Sequence, residues 1–259
     1  MLPYTFCHLK GIGKNSENRL WLKGIVSWDD FDFYPGSVFS ERKTELITTQ
    51  LKQSRAALSN RDCGFFLDRL PPGEQVRVFP HFRSKTAFVD IETSGLSTDA
   101  EITTIALYDG SNIKTYQQDR NIEEFIDDIE NYELLVTYNG KRFDLPFMRK
   151  FFGRSFDIPH IDLCPILRGL GYRGGLKRCE KLLGIKRQVP EEIDGRVAVY
   201  LWHRYRCYDD TDSLRLLLAY NCQDVLSLEI LMIMAYNRVM EDCPVDCSIR
   251  PPVQPRLSW

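Results

Sequence analysis

The hydrophobic and polar positions beyond residue 84 follow two alternating patterns. Short apolar runs, typical of buried strands, occur at 86–91, 102–107, 113–116 and 134–138. Apolar residues spaced three or four positions apart predict helices at 121–129, 145–152, 176–183, 197–205 and 213–240. The Asp109-Gly110 pair predicts a hairpin turn between the second and third strands. A hairpin followed by strands and helices predicts an α/β domain with a mixed β-sheet flanked by helices.

The first part of the chain has a different pattern, with short helical segments separated by turn residues. These segments end at a proline-rich connector, Leu70-Pro71-Pro72-Gly73. We therefore predict a small, mainly helical region over residues 1–80 and the α/β domain over residues 84–242. Residues 243–259 are rich in proline and are expected to form an extended tail.

The composition is that of a globular protein with one sizeable core, since 43% of the 259 residues are hydrophobic. No apolar run approaches the ~20 residues that span a bilayer, and the first residues lack a secretory signal, so we expect a cytoplasmic protein outside the membrane. A net charge of -2 argues against a protein that coats nucleic acid, but allows a local basic surface. The eight cysteines are scattered, which predicts reduced and mostly buried thiols.

Two acidic residues, Asp90 and Glu92, stand at the end of the first predicted strand. Alternate side chains of a strand share a face, so the two carboxylates are expected side by side. Protonation or a bound cation relieves their repulsion, and a divalent ion with oxygen ligands is the usual partner. The triplet Asp-x-Glu is common, and alone it is better explained as an exposed strand end.

A third acid, Asp144, follows the fourth predicted strand in the run YNGKRFDLPF. It precedes Leu145 and Pro146 at the start of a predicted helix, where an aspartate also serves as a helix cap. A cap and a site residue are compatible at this position. The position alone therefore does not distinguish between them.

The long final helix contains the run YNCQD, in which Tyr220 and Asp224 are four residues apart. Residues at this spacing share one face of a helix, one turn from each other. Taken alone, the pair is better explained as a core tyrosine above a solvent-facing aspartate.

In their order along the chain, the three motifs resemble those of the DEDD superfamily of 3′-to-5′ exonucleases. That superfamily has Asp-x-Glu on its opening strand, an Asp in its second motif, and Tyr-x-x-x-Asp or His-x-x-x-x-Asp on its last helix. The second motif is also similar to that of the proofreading domains of family B DNA polymerases, in Tyr138, Asn139, Phe143, Asp144 and Pro146. Ala219 stands where the histidine branch needs His, so the resemblance is to the tyrosine branch. It covers residues 84–240 and implies a ribonuclease-H-like fold.

Within that superfamily the chain is most similar to the bacterial YprB-like ribonuclease-H-like domain. This similarity lies between the second and third motifs. The segments that carry it are Ile161-Asp162-Leu163, Gly175-Leu176-Lys177, Gly195 and the helix around Trp202 and Tyr205.

The resemblance implies hydrolysis of phosphodiester bonds at the 3′ end of a nucleic acid, with single-stranded DNA favoured over RNA. Asp90 would bridge two divalent cations, Mg²⁺ or Mn²⁺. Glu92 and Asp224 would complete the shell of the first ion, and Asp144 would hold the second through water. Tyr220 would orient the attacking water, because a phenol with a pKa near ~10 is a poor base at neutral pH.

A basic stretch offers a candidate path for the strand. Its Lys and Arg residues are Arg168, Arg173, Lys177, Arg178, Lys181, Lys186 and Arg187. Such side chains provide salt-dependent affinity for phosphates, and we single out Lys177 and Arg178, with Asn139 of the second motif, as candidates for binding nucleic acid. An ordinary amphipathic helix with a solvated charged face explains the same pattern equally well.

The N-terminal run LKGIGKNSENRLWL resembles the second half of a helix-hairpin-helix motif, with Gly11 and Gly13 in the hairpin. In that motif, hairpin N–H groups and the following helix bind a phosphate without reading sequence. Few residues precede Leu9, and Pro3 is among them, so the first helix is short or missing. A module that only packs is at least as compatible with this sequence as one that grips DNA.

Two other functions are compatible with the motifs. A structure-selective endonuclease of the same fold would use similar carboxylates and metals, although Tyr220 favours an exonuclease. A catalytically silent nucleic-acid-binding module would tolerate the near-neutral charge, but the intact set of acids argues against it.

Overall fold

The computed structural model describes residues 1–97 and 99–252, and the chain divides into two compact units. The first unit comprises Met1–Arg83 and Met234–Arg250, and the second is built mainly from Ser84–Ile233. The second unit contains the candidate carboxylates.

The N-terminal unit is helical, as predicted. Its α-helices are α1 Lys14–Leu22, α2 Trp28–Phe33, α3 Glu41–Ser59, α4 Cys63–Leu67 and α5 Phe79–Phe82. Helix α1 begins directly after Gly13, and Gly11 has a φ of +86°, which favours glycine at this turn. A short 3-10 helix at Leu2–Tyr4 is the helical segment that precedes the turn.

A buried ion cluster stabilises this unit. The Arg77 side chain is fully buried and pairs with Glu17 at 2.9 Å and with Glu74 at 2.6 Å. Glu17 also accepts hydrogen bonds from the backbone N–H groups of Phe6 at 2.6 Å and Cys7 at 3.0 Å. Buried charges persist when they are paired and hydrogen-bonded, so this cluster holds the N-terminal segment against α1.

A five-stranded mixed sheet forms the centre of the second unit. Its strands are β1 Thr86–Thr93, β2 Ile102–Tyr108, β3 Ile113–Gln117, β4 Leu134–Thr137 and β5 His160–Asp162. The spatial order is β3-β2-β1-β4-β5. Strands β1 to β3 pair antiparallel, whereas β4 pairs parallel with β1 and with β5. The predicted mixed sheet is therefore confirmed, and so is the hairpin between β2 and β3.

The helices that follow the sheet strands are α6 Glu124–Ile129, α7 Asp144–Phe152, α8 Leu163–Gly169, α9 Leu176–Leu182, α10 Gly195–Tyr208 and α11 Thr211–Val239. Most agree with the predicted helices to within three residues, and α6 begins three residues later than its pattern indicates. The pattern after Phe143 predicts mainly helices, which is what the structure has, but it does not reveal β5. This strand has three residues, too few to show a period, and its parallel pairing with β4 defines it.

The two faces of β1 have different roles. Ala87, Val89 and Ile91 lie on one face and join a buried apolar cluster with side chains of β2, α6 and α7. Asp90 and Glu92 lie on the opposite face and are the two positions of this strand that are partly exposed. Every residue of β2 is buried, as expected for a strand covered on both faces. The strand thus carries core residues and candidate site residues in alternation.

Helix α11 is long and apolar enough to cross a membrane by length and composition alone. However, 83% of its most apolar window is buried inside the protein, as in the core helix of a globular domain. All eight cysteines are free thiols and five are buried, which agrees with the prediction. Of the predicted tail, residues 243–252 form no helix or strand, and residues 253–259 lie outside the described residues.

Candidate active site

Three carboxylates meet between β1 and α11. Asp90 and Glu92 come from β1 and Asp224 comes from α11, and oxygens of the three side chains lie within 4.8 Å of one another. Asp224 is only 5% exposed. The solvent-facing aspartate that the helical spacing alone favoured is therefore wrong, because the carboxylate is buried against the sheet.

Asn221 holds Asp90 from the facing helix. Its side chain is fully buried, and Nδ2 donates to the Asp90 carboxylate at 2.8 Å and to the Asp90 backbone oxygen at 3.1 Å. Its Oδ1 accepts from the Thr104 hydroxyl at 3.1 Å, so α11 is tied to both β1 and β2. Asn221 was not among the site residues predicted from the sequence. Its place between Tyr220 and Asp224 in the third motif was the available signal.

The turn after β4 positions the first residue of α7. Asn139 has a φ of +63°, and its backbone N–H donates to Asp162 Oδ1 at 2.7 Å. The N–H of Lys141 donates to the other oxygen of the same carboxylate at 3.2 Å. A Cβ atom at Gly140 would lie 2.1 Å from Thr137 Oγ1, so only glycine fits there. Asp162, at the end of β5, thereby fixes this turn.

Asp144 is the first residue of α7, and Phe143 occupies the cap position. The helix-cap explanation of Asp144 is therefore wrong. The Asp144 side chain is 3% exposed. Burial raises the pKa of Asp144 to about 7, although the nearby backbone groups of Asp144 and Ile91 oppose the rise. The negative charge of Asp224 also raises this pKa, so Asp144 interacts electrostatically with the other acids. However, Asp144 is not one of the three carboxylates whose oxygens lie nearest to one another.

The electrostatics of the acid cluster favour a cation. Burial raises the pKa of Asp90 and of Glu92 well above the ordinary values, and the charges of Asp224 and Asp144 raise them further. Such a cluster is stabilised either by protons or by a positive ion. All its donors are carboxylate oxygens, which suit Mg²⁺ or Mn²⁺. The residues present therefore fit the predicted divalent cation.

Arg187 supplies a positive charge beside these acids. Its Nη2 donates to Asp224 Oδ1 at 2.5 Å, and its Nη1 donates to the two carboxylate oxygens of Glu180 at 2.9 and 2.7 Å. Burial raises the pKa of Asp224 to about 6, and the Arg187 guanidinium opposes this rise. The basic stretch in the sequence included Arg187, but its position at the acids depends on a contact across 37 residues.

Tyr220 is buried beside the carboxylates, with 7% of its surface exposed. The Lys177 ammonium and the Arg187 guanidinium lie 5.1 and 5.2 Å from the centre of its ring. Burial raises the pKa of the Tyr220 hydroxyl, and the charges of three site carboxylates raise it further. The hydroxyl therefore stays protonated at neutral pH, which excludes it as a base and leaves it as a hydrogen-bond donor.

The residues predicted to bind nucleic acid fall in different places. Lys177 lies at the acid site, where its Nζ also donates to the Glu191 backbone oxygen at 3.3 Å. Arg178 follows it on α9 and is exposed. Gly11 and Gly13 belong to the first unit. Contact of these residues, or of the Asn139 side chain, with a strand stays a prediction.

Comparison with known proteins adds a family. A family model of the RNase H superfamily matches residues 87–236, which is more than half of the chain. Among solved structures, a family B DNA polymerase from the hyperthermophilic archaeon Pyrobaculum calidifontis is similar at 18% identity and a TM-score of 0.46. This match covers 60% of the present chain and 24% of the polymerase chain. No curated protein matches. The family match, over the region that holds the mixed sheet and the clustered carboxylates, shows that the chain belongs to the RNase H superfamily.

Proposed function

We propose that this protein is a metal-dependent 3′-to-5′ exonuclease of the DEDD tyrosine branch, with a YprB-like domain, acting on single-stranded DNA. Membership of the RNase H superfamily supports a nuclease. The observation that carries the finer proposal is the convergence of Asp90, Glu92 and Asp224, with Tyr220 buried one helical turn from Asp224. The carboxylates alone fit exonucleases and endonucleases equally, whereas the buried tyrosine favours the exonuclease.

The chain offers ligands for two divalent cations. Asp90, Glu92 and Asp224 would hold one, and Asp144, together with Asp90, would hold the other. When bound, such ions supply neutralisation of charge on the phosphate and a lowered pKa of bound water. The residues around the ligands restrict their movement, since Asn221 holds the Asp90 carboxylate. This rigidity matters because catalysis by fixed charges requires that they be positioned before the reaction.

Tyr220 acts in this proposal as an oriented donor. Its hydroxyl remains protonated, and the ring is held between α9 and the carboxylates by Lys177 and Arg187. A fixed O–H group beside the acids can donate a hydrogen bond to the attacking water and align it with the scissile phosphorus. The loss of one such donor commonly lowers the rate by on the order of 10²-fold, which is the expectation for Tyr220→Phe.

Substrates with and without a free 3′ end distinguish an exonuclease from an endonuclease and from a silent binding module. Linear, circular and 3′-blocked single strands of DNA are incubated with the purified protein and Mn²⁺, alongside a linear RNA. We expect shortening of the free linear DNA from its 3′ end, slower shortening of the RNA, and no change in the circular or blocked strands. Cleavage of the circular strand would assign an endonuclease, and binding without any cleavage would assign a silent module.

Two variants test the site itself. Asp90→Asn and Asp224→Asn should abolish hydrolysis while leaving the circular dichroism spectrum unchanged, because each keeps the shape of the side chain and removes its charge. Asp157→Asn is the matched control, since Asp157 is an exposed carboxylate in the same unit. Degradation of a labelled strand by Asp224→Asn at the wild-type rate would refute the assignment.

A further inference from the structure

A basic cavity lies beside the acid site in the second unit. It has a volume of about 730 Å³ and is bordered by α9 and the segment that follows this helix. Five of its lining residues are positively charged, namely Lys177, Arg178, Lys181, Lys186 and Arg187. Lys177 and Lys181 are four residues apart on α9 and therefore share one face of it. The cavity thus concentrates positive charge in a protein whose net charge is -2.

Much of this positive charge has no partner. The Glu180 carboxylate, which also lines the cavity, is taken up by two hydrogen bonds from Arg187. By contrast, the side chains of Arg178, Lys181 and Lys186 are exposed and make no ion pair or hydrogen bond with any residue in the described part of the chain. Neighbouring cations repel one another unless an anion joins them. The positive charge of the cavity therefore favours binding of a negatively charged ligand.

Arg187 connects this cavity to the carboxylates. Its side chain is only 7% exposed, yet it lines the cavity and also donates to Asp224. Its Nη1 and Nη2 groups are directed to Glu180 and Asp224, so Arg187 adds positive charge to the cavity from its inner wall.

We propose that this cavity binds a backbone phosphate of the nucleic acid strand whose end lies at the acid site. This inference rests on the proposed function and adds the location of the strand. Lys181 and Lys186 contact the phosphate from the exposed rim, while Arg187 adds its positive charge from the inner wall. Contacts of Lys and Arg with phosphates carry no base information, so the cavity contributes affinity and register for strands of any sequence.

Binding without hydrolysis tests the cavity alone. Fluorescence anisotropy of a labelled single-stranded DNA is measured in EDTA at several salt concentrations, for the wild type and for the double variant Lys181→Ala and Lys186→Ala. Each phosphate neutralised on a single strand contributes about 0.7 to the slope of log affinity against log salt, so loss of this phosphate site in the double variant should make the slope shallower by about 0.7. Both lysines are exposed, so the fold should be retained.

Two further proteins control for total charge. The double variant Lys114→Ala and Arg154→Ala removes two positive charges from surface ion pairs elsewhere in the unit, and its slope should equal that of the wild type. Replacement of Lys181 and Lys186 by Arg should restore affinity. An unchanged slope for the alanine variant, or an equal change in the control, would overturn the proposal.

The outcome is independent of the nuclease assay. If the protein degrades DNA but its alanine variant binds like the wild type, the proposed function stands and the phosphate site is refuted. If the protein has no nuclease activity but the variant loses affinity, the phosphate site stands and the proposed function is refuted. Thymidine monophosphate is added as a competitor, and displacement of the strand at equal concentrations of nucleotide phosphate would assign the cavity to free nucleotides and overturn the strand proposal.

Discussion

Asp144 provides a direct test of the cost of assembling buried acids at the site. Its carboxyl is 3% exposed, and burial raises its pKa from 3.8 to about 7. Above pH 7 the folded protein therefore holds a buried charge that the unfolded chain exposes to water. Asp144→Asn removes this charge and keeps the shape of the side chain. We expect the variant to be more stable than the wild type, but inactive as a nuclease.

The magnitude follows from linkage between protonation and folding. A pKa that rises from 3.8 to about 7 corresponds to roughly 4 kcal/mol of lost stability at pH 8, as an upper bound. The amide hydrogens of the introduced Asn need acceptors, which costs about 1–2 kcal/mol of that gain. A net stabilisation of about 2–3 kcal/mol remains. For a chain of this size it raises Tm by roughly 4–12 °C.

The difference in stability between Asp144→Asn and the wild type depends on pH. Between about pH 4 and pH 7 the folded state retains a proton on Asp144 that the unfolded state has lost, so the wild type gains stability as the pH falls. The advantage of Asp144→Asn should therefore be largest at pH 8 and should fall to about zero near pH 5, where the charge penalty equals the cost of the amide. Near pH 4 the variant should be less stable than the wild type by about 1–2 kcal/mol. Thermal unfolding is followed by circular dichroism in EDTA at pH 5 and pH 8, because a bound cation would stabilise the wild type alone.

The control is Asp157→Asn, which removes a charge from an exposed position and should change stability by less than about 0.5 kcal/mol. A less stable Asp144→Asn variant at pH 8, or an advantage independent of pH, would refute the view that a buried charge is held at this position.

Three other substitutions test particular contacts. Asn221→Ala removes three hydrogen bonds and should lower stability by about 3 kcal/mol, measured by urea unfolding, with exposed Asn15→Ala as a control that changes little. Arg77→Met removes the buried cation that pairs with Glu17 and Glu74 and should cost about 3–5 kcal/mol in the same assay; a loss below about 1 kcal/mol would contradict the buried-pair account. Burial lowers the pKa of His8 to about 3, so His8 is neutral when folded and stability should fall by about 1.4 kcal/mol per pH unit below about pH 6.5. His8→Gln should flatten that slope in thermal unfolding across the same pH range, and an unchanged slope would show that other groups cause it.

The predictable part of the fold consists of elements whose signal lies within their own residues. Strands β1 to β4 are apolar runs bounded by turn residues, and the major helices carry an apolar face at helical spacing. Strand β5 has neither property, since His160–Asp162 is too short for a period and exists because β4 offers it a parallel partner. Its last residue then fixes the turn before α7, an effect that no local pattern contains.

The candidate site also has a part that the sequence predicts and a part that depends on the tertiary structure. The side-by-side placement of Asp90 and Glu92 follows from the period of a strand, and that of Tyr220 and Asp224 from the period of a helix, so the sequence by itself determined both pairs and their order. Only the tertiary structure brought the pairs together, through contacts such as that between Asn221 and Asp90 across 131 residues. Burial decided the rest, because the pKa of a carboxyl depends on the water and charges around it, which side chains distant in sequence remove or supply.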